Sequence, residues 1–232
     1  MTAATHSAVL PGIDASAPYG VSRPRMSNPM PVAFALFGFA LCLYGVHFVN
    51  VGPTTVAANA TSDAFVYALL VGGIAETLCG VLGILRGQAY QGSVTCTFGI
   101  WLIGFFLLLT VGAKDKTFTP DAVGWYTLIL IIPVAIFAVP EFVRLDFPFM
   151  IAFAAIIVLL LLLGLGFHDL NHDVVSATLA KRPPDLSGVA NLLQASAWMG
   201  FVAAGAVWFV MARDLYRILG LFGMSPPAYQ AR

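Results

Sequence analysis

The chain has 232 residues, of which 59% are hydrophobic and only 9% charged, and its mean hydropathy is +0.90. Eleven basic and eleven acidic side chains cancel to zero net charge, which excludes the basic face of a nucleic-acid binder and the polarity of a disordered chain. The composition points to the bilayer as solvent, where a spanning helix takes about 20 apolar residues and six such helices would leave only short loops.

Residues 1–27 are rich in Ala, Ser, Pro and Gly. They carry no basic stretch ahead of an apolar run, so they do not read as a signal peptide, and a disordered cytoplasmic tail is expected. Six apolar segments follow, at about Pro31–Val51, Phe65–Leu85, Val94–Val111, Val123–Val139, Phe147–Phe167 and Leu192–Met211. The expected fold is therefore an all-α membrane protein, a bundle of six transmembrane helices spanning residues 28–214, with 215–232 as a short second tail. Pro133 and Pro140 predict a kink and a stop in the fourth segment. The separator from His168 to Gly188 is expected to be a solvated loop outside the membrane.

Lys and Arg orient the bundle. Arg23, Arg25, Arg86, Arg144, Arg213, Arg217 and Arg232 fall on one side, and Lys114, Lys116, Lys181 and Arg182 on the other. Seven against four places both termini in the cytoplasm. A three-plus-three inverted arrangement is compatible with the segment order, although the halves share no convincing echo.

The second segment is built for close packing: Gly72, Glu76 and Gly80 recur at four-residue spacing beside Gly73, and small residues let membrane helices approach. Glu76 is the acidic residue in the middle of a predicted span. Charged and facing lipid it would cost about 2.5 kcal/mol or more. It faces the interior or a water-filled path, or it is protonated, either as a pathway group or as a hydrogen-bond partner of a neighbouring helix. His47 and Asn50 close the first segment, His47 as a proton-shuttling group or as an interface residue. Asn28, ahead of Pro29 and Pro31, either caps the first helix or points into a vestibule.

Other signals are weaker. Cys42, Cys79 and Cys96 lie within apolar runs without metal or redox spacing. His168 and His172 have the i, i+4 spacing of a metal pair, but a solvated linker is the better reading. Asn59-Ala60-Thr61 matches the glycosylation acceptor pattern, which is common by chance. No catalytic constellation is present, so neither an enzyme nor a cofactor is expected.

Taken in order, Asn28-Pro29-Met30-Pro31, Phe37-Gly38, Asn50-Val51-Gly52, Gly72-Gly73 with Glu76 and Gly80, Arg86-Gly87 and Phe98-Gly99 resemble the acetate uptake transporter family, which includes the bacterial succinate–acetate permeases and their yeast relatives. The resemblance covers about Asn28 to Asp214. Beyond the third segment it rests on Tyr126, Trp198 with Gly200, and Met211. Val32, Ala33 and Phe34 replace the family's Leu-Gly-Leu, Glu76 its Gln, and Gly83 a Glu. The resemblance implies a homohexamer with a pore in each protomer, in a bacterial inner membrane, moving acetate and related small carboxylates with protons or passively. It also implies a constriction of a Phe, a Tyr and a Leu. Phe37 matches the first and Phe98 stands at the second, while the third falls at Ala152 or Ala154.

The expected pathway residues are thus Asn28, Phe37, His47, Asn50, Glu76 and Phe98, with Gly72, Gly73 and Gly80 as packing residues. The expected partners are a small carboxylate, protons, the lipid bilayer and further copies of the chain, and no nucleic acid. Two rival readings remain: a channel for ammonium, ammonia or a neutral solute such as urea, or a non-transporting sensor or assembly subunit.

Overall fold

The computed structural model describes residues 28–53, 63–112, 114–115, 119–219 and 221. The two expected tails fall wholly or mostly outside these residues, as does Asn59-Ala60-Thr61. The described chain is helical, and six of its helices are long and apolar enough to cross a membrane.

Helix α1 runs from Met30 to Val49. Asn28 Oδ1 accepts from the Met30 amide at 3.0 Å, satisfying a donor that the helix start leaves free, and Pro31 sits in the first turn, where its missing N–H costs nothing. Helix α2 runs from Asp63 to Leu85 and α3 from Ala89 to Leu107, extended by a wider π-turn at Leu108–Gly112. Between α2 and α3 the chain reverses on Gly87, whose φ of +81° suits glycine, while the Gln88 amide donates to the Gly83 carbonyl at 2.9 Å.

Helix α4 spans Pro120–Arg144, with Thr119 Oγ1 accepting from the Ala122 amide at 3.2 Å. It continues through Pro140 rather than stopping there and ends at Leu145, whose φ of 55° is left-handed. The stop comes one turn later than the proline predicted, at the left-handed Leu145, where the Asp146 amide closes the helix end by donating to the Glu141 carbonyl at 3.1 Å.

Helix α5 runs from Phe147 to Leu179 and α6 from Ser187 to Ile218. The expected loop from His168 is therefore mostly helix. At 1.5 Å per residue, the 33 residues of α5 span about 50 Å against a hydrocarbon core of about 30 Å. The excess matches the segment from His168 onwards. It holds its shape because Leu170 and Ala177 are buried, as are Leu186, Val189 and Ala190 around the start of α6. Asp185 accepts from the Ser187 amide at 3.1 Å, and hydrogen bonds from the Ser187 hydroxyl and then this amide hold its carboxyl below the usual range.

The helices pack in the order α3–α2–α1–α6–α5–α4. Side chains close the ring between α3 and α4: the Tyr126 hydroxyl donates to the Trp101 carbonyl at 3.0 Å and the Tyr90 hydroxyl to Phe137 at 2.5 Å. The α2–α3 contact brings backbone against backbone. A Cβ on Gly80 would stand 2.6 Å from the Cys96 amide nitrogen, and one on Gly73 2.9 Å from the Gly99 carbonyl. At the neighbouring α1–α6 contact, Gly38 makes room for the Trp208 indole, whose Nε1 donates to the Ala35 carbonyl at 3.0 Å.

Candidate functional site

The turn of α2 decides what faces the ring interior. Each residue advances roughly 100° around a helix. Gly72 and Gly83 therefore share one side, and they meet Ala40 and Met30 of α1. Gly73 and Gly80 share a side roughly 90° away, and they meet α3. Glu76 projects between these two sides, into the wedge between α1 and α3.

Three small cavities lie in a row inside the ring. The first, of about 30 Å³, is lined among others by Phe37, Tyr44, Leu69, Phe98, Trp101 and Leu160. The second, also about 30 Å³, holds Glu76 and Thr95 among apolar side chains. The third, about 10 Å³, is bounded by Tyr90 and Gln91. Shared walls set the order. Phe37, Phe98 and Ile156 belong to the first two cavities, and Phe34, Val94, Phe149 and Phe153 to the second and third.

The walls between cavities are aromatic. Phe37 and Phe98 meet at 4.9 Å between ring centroids, tilted by 37°. Phe34 and Phe149 meet edge-on at 5.9 Å. Behind Phe149, Arg213 places its guanidinium 5.7 Å from the ring centroid and holds both oxygens of Asp146, at 2.7 and 2.9 Å. Its Nε also reaches Asp214 at 3.2 Å.

Glu76 is 1% exposed, and neither of its carboxyl oxygens has a hydrogen-bond partner. Among the described residues, Thr95 is the only other polar residue lining that cavity, and its hydroxyl donates to the Gln91 carbonyl at 3.0 Å. In the first cavity the Tyr44 hydroxyl pairs with Ser196 at 2.5 Å. Trp101 lines the same cavity with its Nε1 buried and unpartnered.

The structure thus gathers Phe37, Phe98 and Glu76 around one cavity. Asn28 stands at the start of α1 with its side-chain oxygen on the Met30 amide. Asn50 is exposed at the other end of α1. His47 stacks flat on Phe65 at 4.8 Å, one layer behind the first cavity, since Phe65 in turn contacts Tyr44 and Phe105. On α5, Ala152 lines the Glu76 cavity, Ala154 is exposed, and Ile156 stands beside the Phe pair.

Sequence reasoning missed Ile156, Trp101, Tyr90 and the Arg213–Asp146 pair. Only the last had a visible signal, an Arg and an Asp at two helix ends of the same predicted side. His168 bonds Asp121 through Nδ1 at 2.6 Å, while the side chain of His172 is 81% exposed, so the two do not converge on a common ligand.

A model of the GPR1/FUN34/yaaH family matches residues 15–218, and the chain belongs to that family. Its fold is that of a solved structure described as the bacterial acetate channel SatP. The two share 17% sequence identity over 88% of this chain and 99% of that one, with a TM-score of 0.68. The chain has no match among curated proteins. The resemblance carried by Asn28-Pro29, Gly72–Gly80 and Phe98-Gly99 therefore holds at the level of family and fold.

Proposed function

We propose that this chain is a membrane channel or transporter for acetate and related small monocarboxylates. The observation that carries this reading is the row of small cavities inside the helix ring, pinched at Phe37, Phe98 and Ile156. A path this narrow and apolar suits a cargo of a few heavy atoms with an alkyl end. Membership of the family and a fold shared with a protein described as an acetate channel support the cargo. Apolar walls cannot replace the hydration of an anion, so a proton accompanies the carboxylate through the pinch.

The working protein sits in a bacterial inner membrane with both termini in the cytoplasm, a reading supported by the basic residues on the side of Arg86, Arg144 and Arg213. It works as a homo-oligomer, a hexamer by family resemblance. Apolar side chains such as Trp125, Ile129, Ile132 and Ile136 are exposed along α4, a surface suited to lipid or to neighbouring copies.

Uptake of labelled acetate into proteoliposomes tests the function. Protein-dependent flux that excess propionate blocks is the expected result, and no flux above protein-free vesicles at any pH would overturn it. Glu76 is the one observation favouring ammonium or urea as cargo. That reading predicts ammonium or urea flux indifferent to propionate. A sensor or assembly role predicts no solute flux at all.

A further inference from the structure

We propose that Glu76 is the docking group of the middle cavity, and that it takes a neutral planar head carrying a donor and an acceptor on one carbon: an undissociated small carboxylic acid or a primary amide. This rests on the transport reading above and names the form in which the ligand is held.

Three features of the cavity converge. Both Glu76 oxygens are buried and unpartnered, and an orphaned buried polar side chain calls for a ligand or an explanation. The side chain lines a small cavity of about 30 Å³, room for about two waters and thus the scale of a carboxyl or amide head. The surrounding wall is apolar except for Thr95, whose hydroxyl proton is already committed. The titratable neighbours of Glu76 are the thiols of Cys79 on its own helix and Cys96 on α3. From α1, α5 and α6 it is faced by Phe34, Phe37, Phe149, Ala152, Phe153 and Val207.

The chemistry of the wall selects the ligand. A carboxylate anion beside an ionised Glu76 would be repelled at hydrogen-bond distance with no cation to offset it. An ammonium ion brings four donors to a cavity with few acceptors, which leaves donors unpaired. A neutral acid and the neutral Glu76 carboxyl each offer one O–H and one carbonyl oxygen. They close into a planar pair with two hydrogen bonds, which satisfies every polar atom of both heads and leaves the alkyl end against phenyl rings. A primary amide makes the same two-bond pair through its carbonyl and one of its two N–H groups. No net charge moves when such a ligand crosses.

The test uses the full chain in proteoliposomes, with acetamide as a probe because it has no anionic form. Excess acetamide is expected to cut protein-dependent acetate flux several-fold, and an imposed membrane potential to leave that flux unchanged. Glu76→Gln keeps an adjacent donor and acceptor and keeps acetamide sensitivity. Glu76→Leu, checked for folding by its unfolding temperature and elution volume, lowers acetate flux at least about tenfold through two lost hydrogen bonds and loses acetamide sensitivity. Acetate flux that is indifferent to acetamide, or that follows the membrane potential, would overturn the proposal while leaving acetate transport intact. Absence of all acetate flux would overturn the transport reading itself.

Discussion

Phe37 and Phe98 close the wall between two cavities with ring centroids 4.9 Å apart, so under the proposed transport function the size of either side chain sets the bore. Phe37→Ala joins the cavities and raises the flux of butyrate relative to acetate, at a stability cost of about 3–5 kcal/mol. Counterflow with both labelled acids reads the ratio, and an unchanged ratio would put the pinch elsewhere. Tyr44 works differently. Its hydroxyl meets Ser196 at 2.5 Å, but Ser196 also donates to the Leu193 carbonyl at 2.7 Å. Tyr44→Phe therefore leaves Ser196 partnered and costs about 1 kcal/mol, seen as a small drop in unfolding temperature in detergent with acetate flux retained.

The elements are joined by two kinds of contact, and each fails in its own way. Helices α2 and α3 touch through glycines, so added volume meets backbone rather than a movable side chain. With a Cβ on Gly80 already 2.6 Å from the Cys96 nitrogen, Gly80→Val forces the pair apart at a cost of about 1–3 kcal/mol. A Cβ on Gly205 meets nothing within 4 Å, so Gly205→Ala is the control and leaves the unfolding temperature unchanged or slightly raised. Helices α5 and α6 are tied by charge at the end carrying Arg213, whose side chain is 16% exposed. Arg213→Ala strands Asp146 and the buried Asp214. Because the pair is partly screened, the loss is about 2 kcal/mol rather than the larger cost of a fully buried pair. It also removes the guanidinium behind Phe149, so measured acetate flux changes along with stability.

For the whole molecule, the ring order α3–α2–α1–α6–α5–α4 turns six separate spans into a wall around an interior. The ring closes at α3–α4 through hydroxyl-to-carbonyl bonds of Tyr126 and Tyr90, with Gly104 leaving room for the Tyr126 hydroxyl. Orientation belongs to this scale as well. Lys181 and Arg144 are both exposed, and the proposed orientation puts them on opposite sides of the membrane. An impermeant maleimide is expected to label Lys181→Cys in intact cells and Arg144→Cys only after permeabilisation. The reverse pattern would invert the protein.

The pattern of apolar segments was enough to specify the solvent and the number of spans, because a segment of about 20 apolar residues has a single low-energy place to go. It was enough, too, to direct Glu76 inward, since the alternative is a carboxyl in lipid. The small residues of α2 were legible as a packing face for the same reason of cost: Gly at that spacing is useful only where a backbone comes close. What surrounds Glu76 was not legible. Helices apolar on every side carry no stripe that marks the inner face, so Ile156 and Trp101 look like any lipid-facing residue until neighbouring helices turn them inward. The helical extension of α5 from His168 was hidden likewise, its polar residues reading as loop until the start of α6 covered Leu170 and Ala177. Local chemistry decided which segments leave water, and only the packing of one helix on another decided which side chains meet inside.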